Sequence, residues 1–251
     1  MKMNIIIPMG GQGKRFQDAG FIIPKPLIKI SDVPMYRYAV NSMPLEYAKR
    51  LIFILSDNDY FDELSNDINQ HYSGHYDCYI VKLLHKTEGQ AETVLACAEV
   101  LDLKQPTLIH NCDSIVRFPV GWQNLLVGNI DGAIALFDSN ENRWSYAKMD
   151  SNHERIIDFR EKQVISPYAS TGTYWFKDTE NLLKNIAKII SYNIRENNEY
   201  YLSTVYRLML QEHNIIRPVW TEHFLCFGTP RDLVYSLNYL LKIQKGNVAS
   251  L

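Results

Sequence analysis

The first half of the chain alternates short, unbroken apolar runs with longer stretches whose apolar residues recur at helical spacing. Residues 4–7, 50–55, 79–84 and 107–110 are strand-sized and apolar on consecutive positions, the pattern of strands buried on both faces. Residues 35–42, 59–71 and 89–101 between them read as amphipathic helices. Strands of this kind separated by helices predict a parallel sheet with right-handed crossovers and a ligand crevice at the carboxyl ends of its strands. The second half changes character. Apolar runs at 132–137, 146–149, 156–159 and 172–176 follow one another without long helices, which predicts an antiparallel or mixed extension laid beside the parallel core. Helices are expected over 179–192 and 200–212, then a strand pair over 215–220 and 223–227. A last helix over 230–245 opens on Pro230 with Thr229 as its cap. The expected fold class is α/β: a Rossmann-like mixed, mainly parallel sheet flanked by helices, with a small antiparallel extension. Neither a repeat nor a low-complexity linker interrupts the pattern, so one domain is expected over 1–251, in two halves, 1–130 and 131–251.

Composition narrows the function classes. Of 251 residues 46% are apolar, enough for one sizeable core. Twenty-six Lys and Arg against 28 Asp and Glu leave a formal charge of -2, without a run of like charges. That balance argues against a nucleic-acid track and a polybasic membrane patch. The apolar runs are too short for a membrane span and no signal peptide is readable, so a soluble, cytoplasmic protein is expected. Cys78, Cys97, Cys112 and Cys226 lack metal-type spacing and suit a reducing compartment. Leu233, Leu237, Leu240 and Leu241 in the last helix serve either the core or a homodimer interface.

The candidate chemistry begins after the first strand, at Pro8-Met9-Gly10-Gly11-Gln12-Gly13-Lys14-Arg15-Phe16. Clustered glycines expose backbone N–H groups that can hold phosphate oxygens, and Lys14 and Arg15 add charge-assisted hydrogen bonds. The spacing is not that of a Walker loop, and Arg15-Phe16 stand where a Rossmann fingerprint needs its third glycine. Pro24-Lys25-Pro26-Leu27 and Pro34-Met35 follow. In this combination the chain resembles the sugar-phosphate nucleotidyltransferase family, whose G-G-x-G-x-R-[LF] loop precedes P-K-x-L. It is similar above all to short bacterial members from capsule and surface-polysaccharide pathways.

The resemblance implies a nucleotide-diphospho-sugar transferase (GT-A-like) fold. It also implies a reaction in which an acceptor's phosphate oxygen attacks the α-phosphorus of an NTP, releasing pyrophosphate with the help of Mg²⁺. CTP is the favoured nucleotide, and the acceptor is a phosphorylated sugar or another small phosphorylated molecule. Arg15 would hold the leaving β- and γ-phosphates, and Lys25 would bridge the α-phosphate and the attacking phosphate. Met9, Gly10, Gly11, Gly13 and Lys14 would line the nucleotide. Thr87-Glu88-Gly89-Gln90-Ala91-Glu92-Thr93 resembles the family's base-binding segment, with Gly89 admitting the nucleobase and Glu88 and Gln90 as weaker contacts. The same residues also read as a helix start capped by Thr87, with Gln90 in the box position. Asp113, in Asn111-Cys112-Asp113-Ser114, matches the magnesium-binding aspartate, a hard oxygen ligand. Downstream, Glu161, Lys162 and Gly172 match the acceptor-binding blocks, and Glu199 falls where relatives carry an acidic substrate contact. The 1–130 half would thus bind nucleotide and the 131–251 half the acceptor. One departure stands out: relatives carry a second aspartate before the late Gly-Thr-Pro, and here Cys226 takes that place. Cysteine is a poor ligand for Mg²⁺, so either one carboxylate with phosphates and water suffices, or Glu222 or Asp232 moves in. Two alternatives remain open. A GT-A-type glycosyltransferase would want an Asp-x-Asp motif, which Asp113-Ser114-Ile115 does not provide, and Cys226 alone favours a non-catalytic nucleotide-binding regulatory protein.

Overall fold

The computed structural model describes residues 2–121, 126 and 128–244. The first strand, β1 (Met3–Met9), is buried along nearly its whole length because it has parallel partners on both sides, β4 (Ala48–Ser56) and β6 (Thr107–His110). Its alternate side chains feed two separate cores: Ile6 joins one cluster, Ile5 and Ile7 the other. β4 divides in the same way, Ile52 and Ile54 against Leu51, Phe53 and Leu55. That split is the period of two expected of a strand with helices packed on both faces.

β5 (Cys78–Leu83) continues the parallel set beyond β4. The crossovers run through α2 (Met35–Asn41), after the single-turn α1 (Lys14–Gln17) and a short antiparallel pair, β2 (Lys29–Ile30) and β3 (Val33–Pro34), then α3 (Phe61–Ile68) and α4 (Gln90–Leu95). The helix read over 89–101 is shorter than expected. Thr93 Oγ1 donates back to the Gly89 carbonyl and Cys97 Sγ to that of Val94, the local back-bonding that bends helices, and a 3-10 turn at Ala98–Val100 finishes the segment.

The second half extends the same sheet. β11 (Tyr168–Phe176) lies antiparallel to β6, with Thr173 opposite His110. It also pairs with β8 (Gly132–Asp138) and, through Ala169, with β9 (Ser145–Met149), itself paired to β10 (Ile156–Glu161). Because β11 runs against β6, its Ser170–Gly172 stretch reaches the carboxyl end of β6. Asn111 N–H donates to the Gly172 carbonyl there at 3.2 Å. α5 (Thr179–Ser191) and α6 (Leu202–Gln211) cover one face, and Asp178 caps α5 by accepting from Asn181 N–H.

The strand pair read over 215–227 is corrected. β12 (Ile216–Trp220) joins β8 in parallel, whereas β13 (His223–Cys226) pairs with β7 (Ser114–Arg117), a strand not read from the sequence. Two residues decide this. Thr221 holds the Leu136 carbonyl of β8 with both its N–H and its hydroxyl, and Glu222 N–H then turns to the Arg117 carbonyl of β7. The last helix, α7 (Pro230–Gln244), starts as expected, with Thr229 Oγ1 accepting from Asp232 N–H at 3.1 Å. Leu233 is buried and Leu237 and Leu240 pack against a third core cluster around Phe16, Met35 and Phe227, while Leu241 faces outward. Among the described residues no helix is long and apolar enough to cross a membrane.

Candidate active site

Three connected hollows open at the carboxyl ends of β1, β5 and β6. The largest, about 790 Å³, is lined by the β1–α1 loop (Gly10, Gly11, Gln12, Gly13, Lys14), by Lys86–Gln90 and by Asn197–Glu199. The second, about 200 Å³, is walled by Arg15, Gln90, Asn111, Asp113, Glu161 and Gly172 together with Arg143, Trp144, Tyr174, Tyr201 and Phe224. A third of about 170 Å³ adjoins both and holds Met9, Lys25 and Asp113. Lys25 and Asp113, 88 residues apart in sequence, therefore meet where the two larger hollows approach one another.

Lys25 Nζ donates to Asp113 Oδ2 at 2.6 Å, and both side chains are part-buried. Burial works to lower the Lys25 pKa, but the Asp113 carboxylate more than offsets it, so the ammonium is held above its ordinary value. Burial works to raise Asp113, and Lys25 reverses that, leaving the carboxyl below the usual range. The pairing thus favours the charged form of both groups. Arg15 is exposed at the rim, and among the described residues no carboxylate lies within ion-pair distance of it or of Lys14. Unpaired cations beside a glycine loop leave room for an anion.

The segment around Gly89 is built differently from its sequence reading. Thr87 is not the cap of α4: its hydroxyl bonds Thr93 Oγ1, and Gly89 takes the cap position at φ 143. The hydrogen in place of a side chain there faces protein. A β-carbon on Gly89 would come within 2.4 Å of the Tyr200 carbonyl oxygen and 2.5 Å of its nitrogen. The two segments are zipped together, Tyr200 N–H to the Glu88 carbonyl and Ala91 N–H to the Tyr200 carbonyl. Gly172, at φ 82, serves in the same way, since a β-carbon would strike the Asn111 amide at 2.1 Å. Gln90 does not complete a capping box; its Nε2 donates to Asn111 Oδ1 at 2.7 Å, linking the large hollow to the smaller one. Glu88 is exposed and paired with Arg195.

Of the acceptor-side candidates, Glu161 is buried on the wall of the smaller hollow, where Ser145 and Ser203 both donate to its Oε2. Lys162 does not line that hollow, but its Nζ donates at 2.7 Å to Tyr201 Oη, which does. Glu199 borders the larger hollow and stands beside Tyr201. Tyr201 thus joins Lys162 and Glu199, a junction that nothing in the sequence marked. Asn111 carries a weak sequence signal, its place at the end of β6. Arg143 carries none: it stacks on Trp144 and grips Asp232 through two hydrogen bonds of 2.6 and 2.9 Å. Trp144 itself packs with Phe137 and Phe224 as a wall of the hollow.

The departure at Cys226 is resolved in part by these contacts. The thiol accepts from Gly228 N–H at 3.2 Å, and burial together with Asp113 and Asp232 pushes its pKa up, so it stays protonated and is no ligand for a hard ion. Asp232 is 3.9 Å away but committed to Arg143 and Thr229, and Glu222 pairs with Arg117. No group of three or more His, Cys, Asp or Glu able to hold a metal occurs among the described residues. Among the described residues Asp113 is the one carboxylate lining the hollow that holds Lys25. That fits Mg²⁺ held mainly by phosphate oxygens and water, an ion that commonly takes only one or two protein carboxylates.

The chain matches the Nucleotidyl transferase family over residues 4–219. It belongs to that family. The match spans the glycine loop, Lys25, Asp113 and the Glu161–Gly172 blocks, and it makes the protein a nucleotidyltransferase enzyme. A search of curated proteins finds no match. Among solved structures the fold is similar to the nucleoside-diphosphate-sugar pyrophosphorylase of Vibrio cholerae RC9, at TM-score 0.82 and 24% identity over 93% of this chain and 99% of that one. It is also similar to the inositol-1-phosphate CTP transferase of T. maritima, at TM-score 0.75 and 15% identity over 96% of each chain. A UDP-glucose pyrophosphorylase complexed with UDP-glucose superposes at TM-score 0.76 and 16% identity, covering 97% of this chain and all of that one.

Proposed function

We propose that this nucleotidyltransferase transfers NMP from an NTP, with CTP favoured, to a phosphorylated sugar or a comparably small phosphorylated acceptor. The observation that carries the reading is the Lys25–Asp113 pair between two hollows of unequal size, with the unpaired Arg15 at the rim. The nucleotide takes the larger hollow, its base toward Lys86–Gln90 and its phosphates along Gly10–Arg15. An acceptor in the smaller hollow then presents its phosphate to the same junction. The acceptor's phosphate oxygen forms a new bond to the α-phosphorus while the bond from that phosphorus to the bridging oxygen breaks, and pyrophosphate leaves. The attacking phosphate is already ionised at neutral pH, so the step needs no general base. His110, buried and bonded to Thr173 and the Ser114 carbonyl, takes no part in it.

Both reactants are anionic, so charge neutralisation and alignment are the main tasks. Arg15 grips the leaving phosphates, and Lys25 swings from Asp113 to the crowded oxygens as charge develops. Lys162, held by Tyr201, orients the acceptor phosphate. Asp113 and the triphosphate would hold Mg²⁺, which when bound supplies further neutralisation of the phosphates. The preference for CTP draws support from the similarity to the T. maritima CTP transferase. A role in capsule or surface-polysaccharide precursor synthesis, in the cytoplasm, follows the family resemblance. Pyrophosphate release tests the reading: each NTP is incubated with Mg²⁺ and a panel of phosphorylated sugars, polyols and amino alcohols. Release should depend on one NTP, CTP, and on an acceptor. Sugar transfer from a nucleotide-sugar without NTP would instead favour the glycosyltransferase alternative.

A further inference from the structure

The charges facing the acceptor hollow are unevenly paired. Lys25 is neutralised by Asp113, and Arg143 by Asp232 and Glu141. Among the described residues neither Arg15, which lines the hollow, nor Lys162, which stands behind Tyr201 at its edge, has a carboxylate within ion-pair distance, so positive charge is left for a phosphate at that end. The negative group without an ion-pair partner is Glu161. It is 6% exposed and lines the hollow, and no cation lies within ion-pair distance of it among the described residues; burial raises its pKa, against a longer-range effect of Lys162.

Its two oxygens are not equivalent. Ser145 and Ser203 both donate to Oε2, and the Glu161 N–H is held by Glu196, so the carboxylate is fixed in place. Among the described residues no hydrogen bond reaches Oε1. A buried carboxylate without a counter-charge is costly, and a neutral hydroxyl donor compensates it far less than a cation does. Four aromatic side chains, Trp144, Tyr174, Tyr201 and Phe224, share the lining of the hollow with Glu161. Aromatic faces beside a fixed carboxylate suit an ammonium group.

Resting on the acceptor site described above, we propose that the acceptor is a zwitterion, a small phosphomonoester carrying a cationic amine, with its phosphate at the Arg15–Lys162 end and its amine on Glu161 Oε1.

Matched pairs that differ only in the amine test this on the wild-type enzyme: ethanolamine phosphate against ethylene glycol monophosphate, and glucosamine phosphate against glucose phosphate. Binding is measured by calorimetry with a non-cleavable α,β-methylene NTP in place, and turnover by pyrophosphate release with the natural NTP. In at least one pair the amine should bind tighter, by roughly tenfold to a hundredfold, the scale of a hydrogen bond to a charged group. Glu161→Gln, checked for folding by its melting curve, should bring that ratio close to one. Equal or better binding of the neutral member in both pairs overturns the proposal, as does binding of neither amine. Pyrophosphate release with the neutral members alone sinks the proposal and leaves nucleotidyl transfer intact. Selective amine binding with no pyrophosphate from any NTP supports it while counting against the transfer reaction.

Discussion

Lys25 and Asp113 each favour the other's charged form, and that mutual dependence makes the lysine testable in two ways. Replacing it by methionine leaves Asp113 part-buried without its cation, so the Asp113 pKa should rise from its present depressed value. A carboxyl depressed in the folded state contributes stability above its unfolded pKa, and that contribution is lost as pH falls through the folded value. Lys25→Met has no such contribution left, so it should be less stable than the wild type at neutral pH and should lose less stability on acidification, in denaturant melts followed by circular dichroism at several acidic pH values. Its kcat should also fall roughly 10²–10³-fold, the scale seen when one preorganised charge-stabilising donor is removed. A variant that keeps its kcat would remove Lys25 from the chemistry. Such residues were legible in the sequence because their motifs are local: Arg15 closes a glycine loop, Lys25 lies between prolines and Asp113 follows an apolar run. Partners that complete the site were not. Arg143 meets Asp232 across 89 residues and Ser203 meets Glu161 across 42, and no local pattern encodes either contact.

At the scale of elements, most strands with a clear apolar run were read within a residue or two; β11 starts four residues before its run, at Tyr168, and the remaining strand errors fell where pairing rather than propensity decides. β7 has only four residues and β12 and β13 are two residues apart, which in sequence mimics a hairpin. Hydrogen bonds from Thr221 and Glu222 send them to different sheets. His110 is the tie between three of these elements. Its Nε2–H donates to the Ser114 carbonyl at the start of β7, and its Nδ1 bonds Thr173 of β11 at 2.8 Å, all from a fully buried place on β6. Burial brings its pKa down to about 4, against the opposing effect of the Ser114 bond. A histidine depressed in this way gives stability that is fully present above its unfolded pKa of about 6.5 and is lost as pH falls toward the folded value. Urea midpoints at pH 7, 5.5 and 4.5 should show the wild type losing a few kcal/mol more than His110→Gln, which cannot titrate. Equal acid sensitivity of the two proteins would mean that the ring is not the group being protonated.

Across the whole molecule, the larger and the smaller hollow are mechanically joined at Gly89. Tyr200 belongs to the 131–251 half, yet its backbone is hydrogen-bonded to Glu88 and Ala91 of the 1–130 half, and its neighbour Tyr201 holds Lys162. The contact exists only because Gly89 has no side chain: at φ 143 the position is strained for any L-residue, and a β-carbon would overlap the Tyr200 backbone at 2.4 to 2.8 Å. Backbone atoms cannot turn aside as a flexible side chain can, so Gly89→Ala must push the 196–201 segment outward. Tyr201 and Glu199 would move with it, and Lys162 would lose its hydroxyl partner. This substitution should therefore raise the KM for the acceptor at saturating NTP, by about tenfold or more if the displacement costs the 1–3 kcal/mol typical of a strained backbone site. If Gly89 served the nucleobase alone, only the KM for NTP would change. Steady-state kinetics with each substrate varied in turn separates these outcomes, and an unchanged acceptor KM would show that the two hollows bind independently.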